Sequence, residues 1–197
     1  MLFRSSTDHE HLRSINSPML LLVDADGDDR EMSARLRRVL ELPGNPVLTR
    51  RSDPLARAAQ LRRMHDAPPP EPRYPFAGFE AERIDELLGR GVILECNEGI
   101  KLISARQNTR TVYVVLEGEL EGWRGSHEFR IGPGEIVGEL AFLTGSKRSA
   151  DVYVRSPKAR VLCLDEKTMR ALTDEGSALA PRFLRNMSAI LATRLAA

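Results

Sequence analysis

The chain has 197 residues, 42% hydrophobic and 29% charged, with 14 glycines and 12 prolines; collagen-like, low-complexity and wholly disordered chains are excluded. A chain of this length buries roughly 70% of the surface its unfolded form exposes, so a core forms without staples. Lys and Arg number 29 against 28 Asp and Glu, a net charge of +1 that gives no whole-chain reason to bind nucleic acid or an anionic membrane.

The longest apolar run, Met19–Val23, is far below the roughly 20 residues of a membrane span, and the N-terminus has no apolar signal-peptide core. Cys96 and Cys163 form no C-x-x-C pair and fit a reducing compartment, so a cytoplasmic protein is expected. Pro68-Pro69-Pro70-Glu71-Pro72, with Pro75 behind it, cannot enter a helix or a sheet interior. Residues 68–75 therefore read as a stiff linker between an N-terminal appendage, 1–67, and a C-terminal domain, 76–197.

The appendage opens with a polar tail holding His9 and His11, read as mobile rather than metal-binding. Leu20–Val23 predicts a short strand, stopped by Asp24-Ala25-Asp26-Gly27-Asp28-Asp29. A calcium loop does not fit, because glycine stands fourth rather than sixth and Arg35 stands where the closing glutamate belongs. Over about 20 residues the run LLLVDADGDDREM resembles the first strand and acidic turn of response-regulator receiver domains. Residues 44–66 supply neither the phospho-accepting aspartate nor the lysine that family needs, so the run is read as a strand and a solvated turn. Met32, Leu36, Val39 and Leu40 predict a helix over 30–41, and Asp53-Pro54 starts a second that runs to about Met64. Between Arg30 and His65 nine arginines face three acids with no aromatic to stack a base. That stretch reads as a solvated helix surface, with contact to phosphates or to an acidic protein partner as the functional alternative. The appendage is thus a small α/β or partly disordered unit.

Beyond the linker, Phe76, Phe79, Ile84, Leu87 and Leu88 predict a short helix over 80–89. From Val92 to Leu164 short runs follow at near-regular spacing: VILEC, KLISA, TVYVVLEG, GELEGW, EFRIG, ADVYV and ARVLCLD. Many short strands punctuated by Gly and Pro predict an antiparallel sandwich, roll or barrel. Helices return at Glu166–Leu172 and from Ser177 onward, the last with an apolar face of Phe183, Leu184, Met187, Ile190, Leu191 and Leu195. The expected class is α+β, a jelly-roll-like antiparallel β-roll with flanking helices. The width of that last face suggests a homodimer contact.

One stretch breaks the strand rhythm: Gly138-Glu139-Leu140-Ala141-Phe142-Leu143-Thr144-Gly145-Ser146-Lys147-Arg148-Ser149-Ala150. It predicts a short helix starting at a glycine, a turn, and an arginine entering a strand. A helix start offers unpaired N–H groups and partial positive charge, and Arg148 adds a planar fork for two phosphate oxygens. Glu139 would repel a phosphate but suits a sugar hydroxyl on the same ligand. The inferred ligand is a small phosphate joined to a ribose.

Residues 134–152, GEIVGELAFLTGSKRSADV, resemble the phosphate-binding cassette of cyclic nucleotide-binding domains, a family that includes the regulatory subunit of cyclic AMP-dependent protein kinase and the bacterial catabolite activator protein. The resemblance implies that Glu139 binds the ribose 2′-hydroxyl and Arg148 the cyclic phosphate. It implies further that Gly138, Leu140 and Ala141 present backbone N–H groups and that Ser149 contacts the phosphate. It extends over about 76–195, with FAGFEAERIDELL similar to the leading helix, YVVLEGELE to a central strand, and LAPRFLRNMSAILATRL to the closing helix. One departure is Ser104-Ala105-Arg106-Gln107-Asn108, where the family has a glycine followed by an acid; that turn is expected to lie away from the cassette. In the family a threonine after the arginine often accompanies cyclic GMP preference; Ser149 stands there, which favours cyclic AMP. Asn186 is a further candidate to reach the base.

The expected function is a cyclic nucleotide-binding regulatory sensor that signals through its closing helix. The alternative is a scaffold module that keeps the fold and signals without nucleotide. A DNA-binding regulator of the catabolite activator type is not expected, since only Ala196 and Ala197 follow the closing helix. Tyr113, Trp123 and Cys163 read as packing residues, Cys96 as a partly buried strand end, and His127 as a lone hairpin residue. No nucleophile–base or metal constellation appears, so neither an enzyme nor a cofactor is expected.

Overall fold

The computed structural model describes residues 74–196 and the backbone of two further strands, Leu20–Val23 (β1) and Val47–Arg50 (β2). The helices expected over 30–41 and 53–64, the arginine-rich stretch and the proline run at 68–72 lie outside the described residues. The remaining elements are α1 (Ala81–Arg90), β3 (Val92–Asn97), β4 (Lys101–Ile103), β5 (Thr111–Glu117), β6 (Leu120–Arg124), β7 (His127–Ile131) and β8 (Ile136–Val137). They continue with α2 (Glu139–Thr144), β9 (Asp151–Val154), β10 (Lys158–Asp165), α3 (Glu166–Asp174) and α4 (Leu179–Ala196).

The strands form a six-stranded sheet in the order β2-β1-β3-β10-β5-β8 and a four-stranded sheet in the order β4-β9-β6-β7. Every pairing is antiparallel except β1 with β2. Val92, Leu94, Cys96, Tyr113, Val115, Val161 and Cys163 point from the larger sheet into the roll interior, where they meet Leu102, Leu120, Ile131, Val152 and Val154 of the smaller one. The alternate residues Ile93, Val112, Val114, Leu116, Leu162 and Leu164 point outward, under the helices. Strands β3, β5 and β10 are therefore covered on both faces, which is why they read as continuous apolar runs rather than as alternating ones.

That outer face is capped by Ile84, Leu87 and Leu88 of α1, Met169 and Leu172 of α3, and Leu179, Ala180, Phe183, Met187 and Ile190 of α4. The aromatics ahead of α1 complete the layer: Phe76 meets Phe183 with ring centroids 5.8 Å apart. The architecture is the α+β roll with flanking helices that the strand spacing predicts. No described helix is long and apolar enough to cross a membrane.

Three side chains depart from expectation. Cys96 is fully buried rather than a half-open strand end; burial, reinforced by neighbouring Glu95, pushes its thiol up to about 12. Trp123 is 38% exposed and contributes little to the core. Asn186 donates to the carbonyls of Pro75 and Ala77, both at 2.9 Å, and so ties α4 to the segment before α1 instead of facing the ligand cavity.

Candidate functional site

The stretch Gly138–Arg148 forms one compact loop. Gly138 takes φ of +91°, a left-handed conformation that glycine adopts without steric cost, and starts α2 directly. The Phe142 N–H donates to the Gly138 carbonyl and closes the first helical turn. The N–H groups of Glu139, Leu140 and Ala141 precede that bond, so the helix itself does not satisfy them. Gly145 ends the helix, and Ser146-Lys147 returns the chain to the wall of the roll.

Arg148 is 4% exposed. Its Nη1 donates to the Gly138 carbonyl at 3.0 Å, Nη2 to the Thr111 carbonyl at 2.6 Å, and Nε to the Thr109 hydroxyl at 2.7 Å. A permanently charged guanidinium is costly to bury, and three oxygens arranged around its fork offset that cost. A Cβ at residue 138 would stand 2.5 Å from Arg148 Nη1 and 2.8 Å from the Thr111 carbonyl, so only glycine lets the arginine come this close.

Glu139 is also buried, at 6% exposure, in the first turn of α2 where a carboxylate suits the helix dipole. It pairs not with Arg148 but with Arg194 of α4, whose Nη1 donates to Glu139 Oε1 at 2.7 Å. Arg194 Nη2 donates to the Ile136 carbonyl at 2.8 Å.

These residues border a cavity of about 470 Å3 between the roll and α4. Gly138, Glu139, Leu140, Ala141, Arg148 and Ser149, the six residues singled out in the sequence, all line it. Others that sequence reasoning did not place there line it too, among them Arg124, His127, Phe129, Glu135, Ile190 and Arg194. For Arg194 a signal existed, because Phe183, Met187, Ile190 and Arg194 follow the 4, 3, 4 spacing of one helical stripe. Tyr113 and Trp123 are both absent from the lining; Tyr113 packs in the roll, whereas Trp123 neither lines the cavity nor packs in the core. Among the described residues no group of three His, Cys, Asp or Glu could hold a metal.

The departure at 104–108 lies against the cassette, not away from it. The Arg106 N–H donates to the Arg148 carbonyl at 2.8 Å, and the Arg148 N–H donates to the Gln107 carbonyl at 2.9 Å. Arg106 is the one non-glycine described residue with positive φ, +68°, so it adopts the conformation that glycine would supply.

A β-roll closed by a helix, with a glycine-started turn, a buried glutamate and a buried arginine around one cavity, invites comparison with known proteins. Residues 94–175 match the family model of the cyclic nucleotide-binding domain. This region of the chain is thus similar to cyclic nucleotide-binding domains. Among solved structures, the Thermus thermophilus catabolite activator protein is 26% identical with a TM-score of 0.53, over 61% of this chain and 57% of its own length. This chain thus spans little more than half of that relative. A cyclic nucleotide-binding domain from Methylobacillus flagellatus is 19% identical over 59% of this chain and 68% of that one, with a TM-score of 0.53. The N-terminal domain of a transcriptional regulator from Streptomyces coelicolor is 24% identical over 62% and 92%, with the same TM-score. These last two share the fold. No curated protein matches the sequence.

Proposed function

We propose that this chain is a cytoplasmic regulatory protein that takes cyclic AMP in the cavity bordered by Gly138, Glu139 and Arg148 and passes the signal through α4. The observation that carries the reading is the gathering of all six cassette positions on one 470 Å3 cavity, closed on one side by Ile190 and Arg194 of the last helix. The role of each residue comes from the family: Glu139 for the ribose 2′-hydroxyl, Arg148 for the cyclic phosphate. A ligand that draws on Glu139 alters what Arg194 holds, and so biases the position of α4. Ser149, exposed at the cavity wall, favours cyclic AMP over cyclic GMP.

Calorimetric titration of the full chain with both nucleotides tests this, together with hydrogen exchange over 183–196. Micromolar or tighter binding, with cyclic AMP the tighter ligand and changed exchange in α4, is the expected result. No heat from either nucleotide would overturn it.

A second reading has its own observation. Both charged groups of the cassette already have protein partners, Arg148 three oxygens and Glu139 an arginine, as a scaffold that signals without nucleotide requires. The same titration separates the two. A homodimer through α4 is a further proposal: Phe183, Met187 and Ile190 are buried against the roll, whereas Leu184 and Leu191 are half-buried and Leu195 is 64% exposed. Light scattering at tens of micromolar, roughly the range of a modest interface, decides it, and a monomeric mass with and without nucleotide would overturn it.

A further inference from the structure

Strand alternation sorts the β6–β7 hairpin into two faces. Leu120, Gly122 and Arg124 share one face with their register partners Ile131, Phe129 and His127. The first pair is buried in the roll, at 0% and 1% exposure. In the second, the Phe129 ring lies across Gly122, whose Cβ would stand 2.1 Å from it. The third pair ends the series at the cavity, which Phe129, Arg124 and His127 all line. The opposite face of the hairpin carries the ion pairs of Arg130 with Glu119 and Glu128, and of Glu121 with Arg155.

Arg124 and His127 thus occupy the face that elsewhere in this hairpin is apolar or glycine. Neither side chain makes a hydrogen bond or ion pair among the described residues. The two-residue turn Gly125-Ser126 sets them directly opposite each other, and opposed side chains start only about 5 Å apart. Exposed polar side chains without protein partners, set on the rim of a ligand cavity, fit a ligand edge better than a structural role.

That edge must lie beyond the phosphate and ribose that the cassette would hold, and in a cyclic purine nucleotide only the base remains. The outer edge of adenine carries an acceptor, N7, and a donor, the N6 amino group; guanine carries two acceptors, N7 and O6. Arginine only donates. A neutral imidazole has one donor and one acceptor nitrogen, and a protonated one only donates. Resting on the nucleotide reading above, we infer that Arg124 and His127 read the purine edge, Arg124 donating to N7 and His127 meeting the exocyclic group. Neutral His127 accepts from the adenine amino group or donates to guanine O6. Protonated His127 serves guanine alone. The charged and titratable groups that share the cavity are Arg124, Arg130, Glu135, Glu139, Arg148 and Arg194, and both nucleotides present the same phosphate to them. The ratio of the two affinities therefore isolates the contact at the base.

The test is competition of cyclic AMP and cyclic GMP for the full chain at about pH 8 and about pH 5.5, limits that span the ordinary change of imidazole charge. In the wild type, acidification is expected to move the affinity ratio about tenfold toward cyclic GMP, the size of one hydrogen bond. In His127→Ala the ratio is expected to be independent of pH. Arg124→Ala is expected to weaken both nucleotides about tenfold, and to bind cyclic AMP and its 7-deaza analogue alike while the wild type tells them apart. Both substitutions sit at an exposed hairpin end, so the fold survives them. A wild-type ratio that ignores pH, or a pH shift that persists in His127→Ala, would overturn the inference and leave the nucleotide reading standing. Failure of both nucleotides to bind the wild type would overturn the two together.

Discussion

Glu139 in the first turn of α2 and Arg194 in the last turn of α4 meet at 2.7 Å although 55 positions separate them in sequence. The same guanidinium holds the carbonyl of Ile136, so one arginine grips both the strand before the cassette and its first helical residue. The carboxylate side chain is 8% exposed and the arginine 33%, so water does little to replace the contact from the carboxylate side. Each group also sits at the helix end whose dipole favours its charge. The pair is the direct link between the candidate ligand site and the closing helix.

Removing Arg194 leaves the Glu139 carboxylate buried without its cation. Arg194→Ala is therefore expected to lower stability by about 1–3 kcal/mol, the cost of an unsatisfied buried group. Glu139→Gln in the same background removes the stranded charge and should restore part of the loss. Thermal unfolding of both single variants and the double variant measures this as a coupling energy. Simple additivity would show that the two side chains do not act as a pair.

Arg148 supports two distinct expectations. Its three bonds reach Thr109, Thr111 and Gly138, so Arg148→Ala removes one donor from each, the Thr111 contact being the buried one, and is expected to cost about 1–3 kcal/mol of stability. Loss of a charge-assisted phosphate contact should cost about 2–5 kcal/mol of nucleotide binding in addition. Arg148→Lys separates the two effects, because an ammonium returns charge and donors but not the planar fork. We expect Lys to recover stability in part and nucleotide affinity hardly at all, read by unfolding and calorimetry on the same preparation.

Strands with both faces covered announce themselves as apolar runs, so β3, β5 and β10 are legible as sequence. Strand β8 is not: Ile136-Val137 is too short for any periodicity and is defined by its pairing with Tyr113 and Val114. Strand β2 is likewise four residues long and set by its pairing with β1. In the site, Gly138, Glu139 and Arg148 are legible because a local motif holds them at fixed spacing. The acceptors of Arg148 are largely backbone carbonyls, which every residue has, so no sequence pattern marks Thr111 as a partner. The contact of the 104–108 turn with the cassette has no signature in the sequence, because its bonds to residue 148 are main-chain and long-range.

Behind the cassette, Asp151 accepts from the Lys101 ammonium at 2.8 Å and from the Ala105 N–H at 2.8 Å. The lysine, and then the backbone donor, hold the Asp151 carboxyl below its ordinary range, and Asp151, then the Tyr153 hydroxyl, hold the Lys101 ammonium above its own. The aspartate contribution is complete above its unfolded value of about 4 and fades as pH falls through the lower folded value. The lysine contribution is complete below about 10.4 and fades as pH rises through the higher folded value. Asp151→Asn keeps an oxygen for Ala105 but loses the charge. The stability gap between wild type and this variant should therefore be constant near neutrality and close on acidification below about pH 4. Denaturant midpoints across that range check it, and a gap that widens in acid would contradict it.

Gly138→Ala places a Cβ where Arg148 Nη1 and the Thr111 carbonyl already stand, on a backbone with φ of +91°. Strain of this kind costs about 1–3 kcal/mol, and the arginine must shift to admit the methyl. The expected result is a lower unfolding temperature together with weakened nucleotide binding. Unchanged binding would separate the arginine's position from the ligand site.

Arg106 offers the opposite experiment. It holds φ of +68° with a side chain that is exposed, and its N–H donates to the Arg148 carbonyl. A left-handed conformation costs an ordinary L-residue about 1–2 kcal/mol, whereas glycine adopts it freely. Glycine also gains freedom in the unfolded chain, which returns about 0.4–1 kcal/mol of that difference. The net effect of Arg106→Gly should be stabilising by about 0.5–1 kcal/mol, a rise of a few degrees in unfolding temperature for a chain of this size. Since the backbone bonds between the turn and residue 148 are kept, the position of the guanidinium should not change and nucleotide affinity should stay within about twofold. Parallel unfolding and titration of this variant give both readings. Destabilisation would mean that the Arg106 side chain contributes more to the fold than its exposed position and strained backbone indicate.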